Sequence, residues 1–177
     1  MRDASAVEAV WGERAQRLSR HSVSIGPAQN AFPVLVLGIA EEQYAIDLPD
    51  VAEVFPHISP TPVPGAPAAF AGVINVHGEI RPVIDLRRYL NIERPIETSE
   101  NVHARVILLR KAGREMGLQI DRVEHIRWIA AGELQAPEGE GAERSRHIKG
   151  STADLLMLLS TEALFDQVQP LDTGVPT

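Results

Sequence analysis

Residues 72–86 read GVINVHGEIRPVIDL. The apolar runs at 72–76 and 80–85 flank a turn around Gly78, which predicts two paired strands joined by a hairpin. Upstream, Val34–Ile39 is apolar on both faces, AEEQ at 40–43 predicts a turn, and Tyr44, Ile46 and Leu48 alternate as a strand. Val51 and Val54 carry the apolar set into a third short extended piece. The segment TPVPGAP at 61–67 holds three prolines, which limit φ and remove backbone donors, so it predicts a rigid connector. Just past the hairpin, RRYL at 87–90 predicts a single helical turn, and the polar, Pro-containing stretch 91–102 a crossing between halves.

The second half repeats the first. Val106–Leu109, a turn at Ala112–Arg114 and a long strand from Met116 restate the opening arrangement. Setting Val51 against Val123 places Tyr44, Ile46, Leu48 and Val54 opposite Met116, Leu118, Ile120 and Ile126, so every apolar position meets an apolar one. Further on, Gly72 corresponds to Gly150, each followed by a strand, a turn, an apolar strand and a short helical piece. In this copy IKG at 148–150 and LLMLL at 155–159 are the expected strands, and TEALF at 161–165 the helical turn. The Gly- and Glu-rich stretch 130–146 predicts a surface loop. Two similar small β-units follow, each rich in short strands, which suggests paired barrels sharing apolar surface.

Before the strands, residues 5–20 predict an amphipathic helix. Ser5 and Glu8 match a capping box, and Val7, Val10, Trp11, Ala15 and Leu18 fall on one face. SIGPAQN at 24–30 then predicts a linker. The expected division is 1–31 for helix and linker, 32–166 for the β domain with its two barrel subdomains interleaved along the chain, and 167–177 for a tail.

Composition narrows the function. The chain has 177 residues and 44% apolar content, enough for a core without staples. It has no Cys, which excludes thiol catalysis and disulfide scaffolding. A net charge of −7 and 5% aromatic content argue against nucleic acid as partner. No secretory signal is visible at the N-terminus, and the apolar run at 32–40 is too short to span a bilayer, so a cytoplasmic protein without membrane insertion is expected.

Candidate chemistry is thin. The six His, at 21, 57, 77, 103, 125 and 147, are scattered without HxH or HExxH spacing, so no metal is expected. No phosphate-cradling glycine loop or nucleophile elbow occurs, and no cofactor is expected. Asp47, Asp85 and Asp121 lie at or near strand ends, where a paired-acid hydrolase is conceivable. Strand-end carboxylates that bond nearby backbone N–H groups are the commoner arrangement, and nothing calls for a catalytic residue. Binding fits better, since small barrels expose strand edges and adjacent units form a groove.

FPVLVLGIAEEQYAIDLPDVAEV followed by TPVPGAPAAFAGVINVHGEIRPVIDLRRYL resembles the CheW-like domain of bacterial chemotaxis coupling proteins, and MGLQIDRVEHI with IKG…LLMLLSTEALF resembles its second half. The likeness runs in order over about residues 32–166. It implies a mainly β fold of two SH3-like five-stranded barrels, here with an N-terminal helix and short connecting helical turns. It also implies a non-catalytic adaptor between chemoreceptor cytoplasmic tips and the regulatory domain of a CheA-type histidine kinase, sited in the cytoplasm at receptor arrays. An adaptor for surface motility or gene control is the alternative within the family. Val51 and Glu53 match family positions implicated in partner contact, and Gly72, Asn75 and Gly78 match the hairpin signature. The family pattern there is N-x-R-G, whereas this chain has His77 in place of the Arg. Arg carries a permanent charge and a bidentate fork; His, mostly neutral near pH 7, has neither. His77 is therefore the sixth candidate for partner binding.

Overall fold

The computed structural model describes residues 30–56, 58–92, 105–136 and 147–166. The helix expected at 5–20 lies outside them. Ten strands and two short helices follow in order: β1 (Ala31–Ile39), β2 (Glu42–Asp47), β3 (Val51–Phe55), β4 (Phe70–Val76), β5 (Glu79–Asp85), α1 (Leu86–Tyr89), β6 (Arg105–Lys111), β7 (Arg114–Ile120), β8 (Arg122–Ala130), β9 (Ile148–Ser151), β10 (Met157–Leu159) and α2 (Thr161–Asp166).

The strands form two five-stranded sheets, ordered β8-β1-β2-β10-β9 and β3-β6-β7-β5-β4. Moving five strands along the chain converts one order into the other, so the internal repeat is an internal symmetry of the fold. Neither half of the chain makes a sheet by itself. The first hairpin of each half, β1–β2 or β6–β7, sits in the sheet that holds the last three strands of the other half. The correspondence extends to detail. Ala40 and Ala112 close the equivalent hairpins with the same φ of 51°. Asp85 caps α1 by accepting from Arg88 N, and Ser160 caps α2 by accepting from Ala163 N.

Burial explains why β1 and β6 lack alternation. On β1, Leu35, Leu37 and Ile39 enter a core shared with Ile107, Leu109, Met116, Leu118 and Ile120 of the other sheet. Val34 and Val36 point the opposite way, into a smaller core with Ala45, Ile129 and Leu158. On β6, Ile107 and Leu109 join the shared core while Val106 and Leu108 pack with Ile74, Val76 and Val83. Each sheet thus wraps its own small core and leans its outer face on the other. Strands buried on both faces read as continuous apolar runs.

Two expectations change. The long strand from Met116 breaks at Asp121, whose carboxylate accepts from Ala40 N at 2.7 Å and from the Arg87 guanidinium. The chain crosses between sheets there, so β7 and β8 belong to different sheets. LLMLL is a strand only over Met157–Leu159; Leu155, with φ of 65°, turns the chain before it.

The paired glycines have a shared cause. Segments outside the named strands bridge onto β4 and β9, Thr61 to Val73 and Gln135 to Ser151. A Cβ on Gly72 would lie 2.2 Å from the Thr61 carbonyl oxygen, and one on Gly150 would lie 2.8 Å from that of Gln135. Only glycine admits backbone this close.

Candidate protein-interaction surface

The β4–β5 hairpin closes with Val76 opposite Glu79, leaving His77 and Gly78 as a two-residue loop. Both have positive φ, 51° and 90°, the requirement of a type I′ turn. Gly78 meets it without strain, and His is among the residue types enriched in this region. Asn75 Oδ1 accepts from Gly78 N at 2.9 Å and holds the turn. The signature residues Asn75 and Gly78 therefore shape the loop that presents His77.

His77 and Glu53 come together. The imidazole Nε2 lies 3.2 Å from Glu53 Oε2, with the side chains 78% and 43% exposed. Glu53 sits on edge strand β3 opposite Leu108, on the same side as Phe55, whose ring packs on the small core of that sheet. The pair thus bridges the sheet's two edge regions, β3 and the β4–β5 tip, at the mouth of the barrel. Val51 is half-buried against the shared core, and Gly72 is buried against Thr61, away from the His77 tip.

The equivalent mouth in the other sheet has the opposite arrangement. There Arg127 on β8 is bonded to Asp154 at the β9–β10 tip, Nη1 at 2.5 Å and Nη2 at 3.4 Å. The Arg127 guanidinium, helped by the Thr152 hydroxyl, draws the Asp154 carboxyl down to about 2. Acid on the edge strand and His on the tip at one end become Arg on the strand and acid on the tip at the other.

Sequence reasoning missed three contributors around His77. Ile80 is 60% exposed on the hairpin arm opposite Asn75, and Val54 is exposed on β3. Ile80 shares its face with Ile84, but Ile84 lies under the second sheet while Ile80 stands beyond it; alternation gives the face, and only packing gives the reach. Glu115 accepts from Arg110 Nε at 2.5 Å and Arg81 Nε at 2.8 Å, and those guanidiniums, Arg110 first, hold its carboxyl below its ordinary range. Arg81 is thereby fixed along the arm.

The strand-end acids are structurally engaged. Asp47 pairs with Lys149 at 2.7 Å, Asp85 caps α1, and Asp121 holds the sheet crossing. Among the described residues no group of three His, Cys, Asp or Glu could hold a metal ion, and no helix is long and apolar enough to cross a membrane.

Intertwined SH3-like barrels with exposed strand edges and ion-paired mouths place this molecule among β-sheet scaffolding proteins. A CheW-like domain model matches residues 33–169, and the chain belongs to that family. It is 26% identical over 153 residues to the chemotaxis protein CheW of Treponema pallidum, covering 84% of this chain and 90% of that protein. It is 33% identical over 107 residues to the chemotaxis protein CheW of Bacillus subtilis, covering 60% and 67% respectively. The crystal structure of the scaffolding protein TtCheW from Thermoanaerobacter tengcongensis superposes with a TM-score of 0.65 at 27% identity, over 80% of this chain and 90% of that one.

Proposed function

We propose that this chain is a non-catalytic adaptor that couples chemoreceptor cytoplasmic tips to the regulatory domain of a CheA-type histidine kinase, with residues 32–166 as the coupling domain. The observation that carries the reading is the Glu53–His77 pair, held at an exposed barrel mouth by a family-signature hairpin. The two mouths have opposite acid–base order, so end-to-end contact with a related barrel sets unlike groups face to face. Exposed Val54 and Ile80 beside the pair supply apolar contact of the kind that anchors interfaces.

The test is affinity of the full chain for the cognate kinase regulatory domain and for a receptor-tip fragment. Glu53→Ala weakens kinase binding roughly tenfold, the scale of one lost charged contact. His77→Arg restores the family pattern and binds at least as tightly as the native chain. Absence of binding to both partners by the native chain refutes the coupling role. The departure at His77 favours one second reading, an adaptor for surface motility or gene control. A swimming defect on deletion, with normal localisation at arrays, counts against it.

A further inference from the structure

β8 is a sheet edge, paired with β1 on one side and with no other described strand. Ile126 and Trp128 project from one face of it and are 49% and 41% exposed. They pair in register with Leu35 and Pro33 of β1, so they form an outer rim of the shared core. The internal repeat supplies a comparison within the same molecule. The counterpart of Ile126 is Val54, also exposed, but the counterpart of Trp128 is Pro56. The architecture needs no large ring at this position, and Trp128 adds apolar surface that the barrels leave uncovered.

The chain enters the fold at this spot. Ala31 pairs with Ala130, and Ala131 N donates to the Asn30 carbonyl at 3.3 Å. Residues 1–29 therefore arrive at the Trp128 end of β8, carrying the apolar series Val7, Val10, Trp11, Ala15 and Leu18. A helix over 5–20 is roughly 24 Å long at its regular rise. The nine residues of β8 span about 30 Å. The linker from 21 to 30 reaches up to about 35 Å when extended, ample to turn the helix back along the strand.

We infer that the amphipathic segment 5–20 packs its Val7–Leu18 face over Ile126 and Trp128, covering the β8 edge within the same molecule. A short tether gives the segment an effective concentration in the millimolar range, well above that of a second copy in solution. The cover hides apolar rim and blunts an unpaired strand edge together. A partner strand or helix that uses β8 has to displace it.

The chain's two tryptophans make the test direct. Trp11→Phe in the full chain leaves Trp128 as the single reporter, to be compared with the same chain carrying Val10→Asp and Leu18→Asp as well. Acrylamide quenching of Trp128 is expected to rise roughly two- to threefold on adding the two acids, with a red-shifted emission, as a docked population opens. The reciprocal chain, Trp128→Lys with Trp11 retained, shows a matching rise in quenching of Trp11. Neither measurement requires a kinase or receptor, so its failure is separable from failure of the coupling role. Equal quenching with and without the acids overturns the inference. Protection that strengthens between about 1 µM and about 100 µM protein assigns the surface to a second copy and overturns it too.

Discussion

Replacing Gly72 by Ala puts a methyl group where backbone already stands. A Cβ at this position would lie 2.2 Å from the Thr61 carbonyl oxygen and 3.1 Å from Pro62 N, and the residue's φ of +141° disfavours any L side chain. Val73 and Thr61 exchange two hydrogen bonds across the same contact, at 2.9 and 2.8 Å. To admit the methyl group the connector must lift away, losing both bonds at about 1 kcal/mol each. The residual backbone strain adds about 1–3 kcal/mol. The stiffer unfolded chain returns up to about 1 kcal/mol. The net loss is about 2–4 kcal/mol, which at an m-value of about 2 kcal/mol/M moves the urea midpoint down by about 1–2 M.

Gly150→Ala is the control supplied by the repeat. Its Cβ would meet the Gln135 oxygen at 2.8 Å, its φ lies outside the left-handed region, and its bridge also carries two hydrogen bonds. It pays the clash without the φ strain, so its loss is smaller, about 1–2 kcal/mol. Circular dichroism followed through urea titration measures both. A Gly72→Ala chain within about 0.5 kcal/mol of native, or one no less stable than Gly150→Ala, refutes the reasoning.

Two further outcomes follow from the ion pairs and the shared core. Lys111, bonded at 2.8 Å, is the main group drawing the Glu162 carboxyl down to about 2 from an ordinary 4.5, so the stabilisation is full above about pH 4.5 and lost as pH falls toward 2. Glu162→Gln costs at most about 1 kcal/mol at pH 7 because the side chain is over half exposed, and the urea-midpoint gap from native closes across that acid window; a pH-independent gap contradicts it. Leu109→Ala, in the shared core, costs about 2.7–5 kcal/mol, and its fluorescence and circular dichroism transitions coincide because each sheet draws strands from both halves. Separate transitions for the two sheets would contradict the intertwined topology.

Much of this molecule is legible locally. The hairpin at 72–86, the helical turn after it and the matching apolar positions of the two halves depend on neighbours a few residues apart, and sequence carries that information directly. The break at Asp121 is different. Its cause is the Ala40 amide and Arg87, both remote in sequence, so the apolar pattern runs through Arg122 and Val123 with no sign of a crossing. The site divides the same way. His77 stands out in the sequence by its departure from the N-x-R-G pattern, while its placement beside Glu53 depends on the closure of β3 against the β4–β5 tip. Ile80 could not be told from a core residue, because exposure there depends on where the second sheet ends.

By itself the sequence determined the β class, the tandem repeat, and the glycines and turn residues that punctuate it, since these follow from side-chain alternation and local backbone sterics. The partnership of the strands came only from the tertiary structure. β1 and β6 bury both faces, and burying both at once requires each half to lend its first hairpin to the other half's sheet. No short-range pattern encodes that exchange, because it is the sharing of one apolar core between two sheets that selects it.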